Sequence, residues 1–151
     1  MASWQEIERE APEFAARVCA CFDAGTNKTL ATLRRDGSPR VSGSEAAFHD
    51  GELTFGMMPG SMKLLDILRD PRIAMHSPTL EPPSDAPQSW PGDAKVAGRA
   101  AEMPTPAGGQ PGSYYRVDIT EVVHTRVGAP ADHLVIESWH EGRGHQRRER
   151  R

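Results

Sequence analysis

Two Asp-Gly pairs, Asp36-Gly37 and Asp50-Gly51, punctuate the first half of the sequence and separate runs rich in strand-forming residues. Asp-Gly is among the strongest short-range signals for a tight hairpin, because such turns need φ > 0 and glycine adopts it without steric cost. Residues 29–34, 40–49 and 53–57 are therefore expected to run as consecutive antiparallel strands. A parallel, doubly wound sheet needs a crossover between neighbouring strands, and these turns leave no chain for one.

The later punctuation extends the pattern. A Gly60-Ser61-Met62-Lys63 step opens a short helix expected to stop at Asp70, since the residue before Pro71 resists helical backbone angles. Residues 72–76 then read as a strand, and residues 77–93, with five prolines, as a long loop. A strand over 94–103 carries Gly98 as an expected bulge. A second Pro/Gly-rich break, 104–112, precedes two final strands over 114–126 and 133–139. At the front, Ser3 and Glu6 fit a capping box, and apolar residues from Ile7 to Phe22 recur at helical spacing. Pro12, best tolerated in a first turn, starts the main helix of that region. Seven strands with small helices predict a mainly β protein, a closed antiparallel barrel over residues 1–139. Residues 140–151, rich in arginine, are expected to form a solvated tail.

Composition narrows the function classes. The chain has 151 residues and a formal net charge of −3, so no global field draws nucleic acid or an anionic membrane. It has no run of 18 apolar residues, and its acidic N-terminus is unlike a secretory signal, so a cytoplasmic protein is expected. Apolar residues make up 37%, a low share that would gain from burying a sheet face against a second subunit. Cys19 and Cys21, two apart on a helix, point in different directions and read as reduced thiols. The six histidines form no ligand motif, so no metal site is expected. Among them His76, after Ile73-Ala74-Met75, is the one expected to line a pocket. The arginines at the C-terminus lack interleaved aromatics, which favours a mobile tail over a nucleic-acid contact.

The Gly60–Lys63 step carries the chemistry. A helix start offers unpaired amides and the positive end of the dipole, which suits a phosphate. Gly60 lets the backbone approach, Ser61 supplies a hydroxyl and Lys63 a point charge, while Arg40 on a neighbouring strand would close the cage. The plainer alternative is that Ser61 only caps the helix and Lys63 is solvated. Met57 and Met58 precede the step; strand alternation sends one to the core and leaves the other for a flat aromatic partner. Ser42 and Ser44 share a face with Arg40, either toward solvent or toward a ligand edge. Trp90 in the proline-rich loop reads as a lid or dimer contact, or as packing on the barrel rim.

Three segments resemble the FMN-binding split barrel of the pyridoxamine 5′-phosphate oxidase-like superfamily. GSPRVSGSEAAF resembles its second barrel strand. TFGMMPGSMKLLDILRDPRIAMHS is similar to its strand, Gly-Ser-Arg-Lys, helix, Asp-Pro-Arg, strand pattern, and AKVAGRAAEM to the strand that follows. The similarity runs over roughly residues 11–139. It implies a dimeric antiparallel split barrel with FMN, or the deazaflavin coenzyme F-420, at the subunit interface. It also implies hydride transfer to or from a small organic molecule. The implied cofactor residues are Arg40, Ser42, Met57, Met58, Gly60, Ser61, Lys63 and His76; no catalytic residue is nominated. Met62 stands where the oxidases carry arginine, PTPAGGQPG replaces a helix, and the C-terminus that holds the oxidases' substrate is missing. The alternative is a non-catalytic module that binds a flavin or haem, with His76 or His124 as axial ligand.

Overall fold

A computed structural model describes residues 2–151. Helices α1 (Trp4–Glu10) and α2 (Pro12–Phe22) lead into strands β1 (Asn27–Leu33), β2 (Pro39–His49) and β3 (Glu52–Met57). Helix α3 (Met62–Arg69) and strand β4 (Arg72–His76) follow. The chain continues through β5 (Asp93–Met103), β6 (Ser113–Val127), β7 (Leu134–His140) and β8 (Gly144–Arg150). The sheet order is β3-β2-β1-β4-β5-β6-β7-β8, every pairing is antiparallel, and an additional β3–β6 pairing closes six strands into a barrel. Strand β6 is long enough to serve twice. Its first part seals the barrel against β3, and its second part carries β7 and β8 as an outer flap.

The two Asp-Gly turns are built differently. At Asp50-Gly51 both residues have positive φ, as the two-residue hairpin requires, and His49 pairs directly with Glu52. At Asp36-Gly37 only Gly37 does. The Gly37 amide donates to the Arg34 carbonyl at 2.9 Å, and the Arg34 amide to that of Ser38 at 2.9 Å, so a longer loop ends in a left-handed glycine. Gly98 sits at the expected irregularity in β5, where a Cβ would run into the Asp118 carbonyl.

The core lies between the two N-terminal helices and the inner face of the barrel. Trp4, Ile7, Phe14, Val18 and Phe22 meet Leu30, Leu53, Phe55, Val96, Val117 and Ile119 there, all buried. Phe48 bridges the two layers, its ring 4.3 Å from that of Trp4 and 5.3 Å from that of Phe22. The capping box of α1 is formed on both sides, with the Ser3 side chain accepting from the Glu6 amide and the Glu6 carboxylate from the Ser3 amide.

The C-terminal segment departs from the expectation of a solvated tail. Residues Gly144–Arg150 form β8, in register with the whole of β7. Gly142 and Gly144, both at positive φ, turn the chain back. A buried carboxylate then holds the strand, because Glu137 of β7 accepts from His145 Nε2 at 2.9 Å, from Arg17 of α2 at 3.0 Å and from Arg126 of β6. Phe14 packs on the His145 ring at 5.0 Å. None of this leaves an apolar alternation in RGHQRRERR, so pattern reading finds no strand.

The proline-rich loop is also fastened internally. Trp90 donates its indole N–H to the Leu80 carbonyl at 2.9 Å. The Pro91 carbonyl faces the fully buried His124 at 2.9 Å and Cys21 Sγ at 3.5 Å. Trp90 therefore closes its own loop. No helix among the described residues is long and apolar enough to cross a membrane.

Candidate functional site

A cleft of about 850 Å³ opens on the outside of the barrel over β2 and β3. Its floor follows from strand alternation. Residues of β2 and β3 with buried side chains point inward, and the positions between them face out, the short Gly43, Ala47 and Gly56 together with Glu45 and Thr54. The α2–β1 loop (residues 23–28) forms one wall, Met58 and Lys63 at the entry to α3 another, and Met103, Pro106, Gln110, Pro111 and Tyr114 a third. Gly56 matters sterically: a Cβ there would lie 2.9 Å from the Tyr114 ring, which sits directly across the β3–β6 pairing. The ring that approaches this glycine is thus the protein's own. It is fixed by a 2.6 Å hydrogen bond from the Tyr114 hydroxyl to the Gln110 carbonyl.

Of the eight residues expected to hold a cofactor, Met57, Met58 and Lys63 line the cleft. The two methionines divide as alternation requires, Met57 buried in the core and Met58 79% exposed. Lys63 donates from Nζ to the Gly43 carbonyl at 2.6 Å, which holds its ammonium against the cleft floor. Gly60, at positive φ, makes the turn into α3. Ser61 is the N-cap, its hydroxyl accepting from the Leu64 amide at 3.3 Å. Neither Gly60 nor Ser61 is part of the cleft wall.

Arg40, Ser42 and His76 lie elsewhere. The Arg40–Ser42–Ser44 face of β2 turns inward, so these side chains lie on the inner side and not in solvent. Arg40 donates from Nε to Asp66 of α3 at 2.7 Å, and Thr32 Oγ1 donates to the same carboxylate oxygen at 2.7 Å. Burial alone would push the Asp66 carboxyl up, but these two donors prevail and hold it below the ordinary aspartate range. The Ser42 and Ser44 hydroxyls are buried without a hydrogen-bond partner. His76 Nδ1 faces the Ser77 carbonyl at 2.6 Å and its Nε2 the Asp93 carboxylate at 3.7 Å, outside the cleft.

Four cleft residues escaped the sequence reading. Lys28, 5% exposed, donates to the carbonyls of Gly25 at 2.7 Å and Thr26 at 3.2 Å, and burial lowers its affinity for a proton. Asp23 and Glu45 line the same cleft and partly offset that effect through their charge. Tyr114 is the fourth. The available signal, for Glu45, was the alternation in β2, which puts Gly43, Glu45 and Ala47 on one face and Ser42 and Ser44 on the other.

No protein-family model matches the sequence, and neither does any curated protein. Solved structures do match. A pyridoxamine 5′-phosphate oxidase-related, FMN-binding protein from Nostoc punctiforme superposes with a TM-score of 0.61 at 11% identity, covering 100% of this chain and 98% of its own. The fold is the pyridoxamine 5′-phosphate oxidase-like split barrel. A protein described as an F-420 reductase matches with a TM-score of 0.54 at 21% identity, covering 70% of this chain and 94% of its own. A haem-binding protein from Mycobacterium smegmatis matches with a TM-score of 0.54 at 15% identity, covering 89% and 86%. Three ligand chemistries are thus named among neighbours that share this fold.

Proposed function

We propose that the cleft binds a flavin-type cofactor, FMN or the deazaflavin F-420, and that the protein uses it to pass hydride to or from a small organic molecule. One observation carries this reading: an open stretch of floor at Gly43 and Ala47 lies beside a lysine at the head of α3. A flat ring fits such a floor, with Met58 and Tyr114 as polarizable and aromatic partners at its sides. The anionic tail then meets Lys63 and the first-turn amides of α3, which a helix leaves unpaired. The cofactor supplies the redox chemistry; the chain holds, orients and covers it.

A second copy of the chain completes the cover. Val41 of β2, Met58 before α3 and Met62, Leu65 and Leu68 on α3 are exposed apolar side chains, which a partner would cover. A homodimer across this face places each cleft at the subunit boundary.

Among the described residues, no histidine or cysteine lines the cleft. That favours, as a second reading, a protein that carries or sequesters the cofactor without turning it over. It also disfavours haem in this cleft, because His124 is enclosed between Pro91 and Arg126 and His76 lies outside.

The test is a visible spectrum of the purified protein followed by titration with FMN and with F-420. Stoichiometric binding of either is the expected result, and binding of neither would reject the reading. Turnover of the bound, reduced cofactor by a panel of oxidised small molecules separates enzyme from carrier.

A further inference from the structure

We infer that Tyr114 is the latch of the cleft: its ring and hydroxyl hold residues 104–112 in place as the third wall and so govern how long a ligand is retained. The inference rests on the cofactor reading above. Tyr114 stands opposite Gly56 of β3 on one side and Met103 of β5 on the other. Its ring reaches over Gly56, where an added Cβ would lie 2.9 Å from Cε1 and 3.1 Å from Cδ1. Both distances fall inside the optimum of about 3.5–4.0 Å for two carbons, so a side chain at position 56 would drive the ring off the strand. Held there, the phenol donates to the Gln110 carbonyl at 2.6 Å.

Little else holds this loop. Pro104, Pro106 and Pro111 have no N–H to donate. The Gly109 amide donates to the Pro106 carbonyl at 2.9 Å, a bond that stays within the loop. Among the described residues, the Tyr114–Gln110 bond is thus the one hydrogen bond that ties residues 104–112 to the barrel. The packing around it is close. An added Cβ on Gly109 would lie 3.1 Å from the Tyr114 hydroxyl, and one on Gly112 would lie 2.5 Å from the Met57 carbonyl. Gly56 makes room for the body of the ring, Gly109 for its tip, and Gly112 brings the end of the loop onto β3. Pro106, Gln110 and Pro111 line the cleft from this loop, so the place where the ring rests sets where the wall stands. One neutral hydrogen bond is worth a factor of about five, enough to hold a wall and little enough to release it without unfolding the barrel.

The experiment measures affinity and dissociation rate for FMN and F-420 by ring absorbance. It compares the wild type with Tyr114→Phe, Tyr114→Ala, Gly56→Ala and the double variant Gly56→Ala/Tyr114→Ala. Tyr114→Phe keeps the ring and loses the tether, so affinity should fall by about fivefold, with the loss in faster dissociation. Tyr114→Ala also loses the ring, and its affinity should fall by about tenfold or more. Gly56→Ala displaces the ring and should cost about fivefold in the wild type and nothing further in the Tyr114→Ala background. An equal cost in that background would mean that the new methyl meets the ligand itself, and would overturn the inference. Unaltered affinity and dissociation in Tyr114→Phe would overturn it too, even with a lower melting temperature, which packing alone would give. Both results leave the cofactor reading standing. If neither cofactor binds the wild type, both are rejected.

Discussion

Two polar centres of this molecule follow opposite rules. Around Glu137 both carboxylate oxygens are engaged: they accept from Arg17, Arg126 and His145, and the neighbouring His124 is enclosed between Pro91 and Arg126. At the cleft, polar groups are left over. The carboxylates of Asp23 and Glu45 on its lining make no hydrogen bond or ion pair among the described residues, and the Ser44 hydroxyl, on the inner side of β2, is buried without a partner. Saturation is what a structural centre needs, since each unpaired buried charge costs several kcal/mol. An incomplete shell costs stability too, and a cleft with one retains it for a ligand. The Arg40–Asp66–Thr32 cluster belongs with the first kind, although it stands beside the second.

The largest expected effect breaks the saturated centre. Glu137→Ala leaves two guanidinium groups and His145 without their acceptor, so the protein should lose about 3–5 kcal/mol in denaturant unfolding. Cofactor affinity should be unchanged in whatever fraction remains folded. An unaltered midpoint would show that the carboxylate does not hold the β7–β8 flap.

At the cleft, Lys63→Ala should weaken cofactor binding by about 1.5–3 kcal/mol, the worth of a hydrogen bond to a charged group, with little change in stability. Equal affinity would place the tail elsewhere.

Acid should act on the saturated centre before it acts on the cleft. Burial lowers the His124 affinity for protons, so the folded state stays neutral where the unfolded chain is already protonated. Its contribution is present above the ordinary value of 6.5 and is lost as pH falls from there toward the depressed folded value. The Glu137 and Asp66 carboxyls are also held below their ordinary ranges, with burial raising them but their cationic donors outweighing it. Their contributions are present above the unfolded carboxyl values and disappear at lower pH still. Unfolding midpoints taken against pH should therefore fall in two stages, and His124→Gln should remove the first.

The smallest expected effect sharpens the contrast most. Ser44→Ala removes a buried hydroxyl that has no partner, so the free protein should be as stable as the wild type or slightly more so. A loss of stability in thermal melts would reveal a structural hydrogen bond and move Ser44 to the saturated class.

Much of the barrel was legible because turns and alternation are local. Asp50-Gly51 gave a hairpin, Gly98 a bulge, and Pro71 the end of α3. The split of Met57 and Met58 between core and surface followed from the two-residue period of a strand. Strand β8 was not legible, since its support comes from a carboxylate and a ring on other elements rather than from its own pattern. The site was read in part for the same reason. Lys63 could be placed from its position in a helix start, whereas the diversion of Arg40 to Asp66 depends on how α3 lies on β1 and β2. Tyr114 reaches the cleft only because β6 closes the barrel on β3, a long-range pairing that no local signal marks.

Hydrogen–deuterium exchange with and without millimolar FMN or F-420 tests the central claim most directly. Slowed exchange confined to residues 43–47, 54–58 and 61–65 is the expected result. Slowing centred on β4 around His76, or no change with either cofactor, would contradict it.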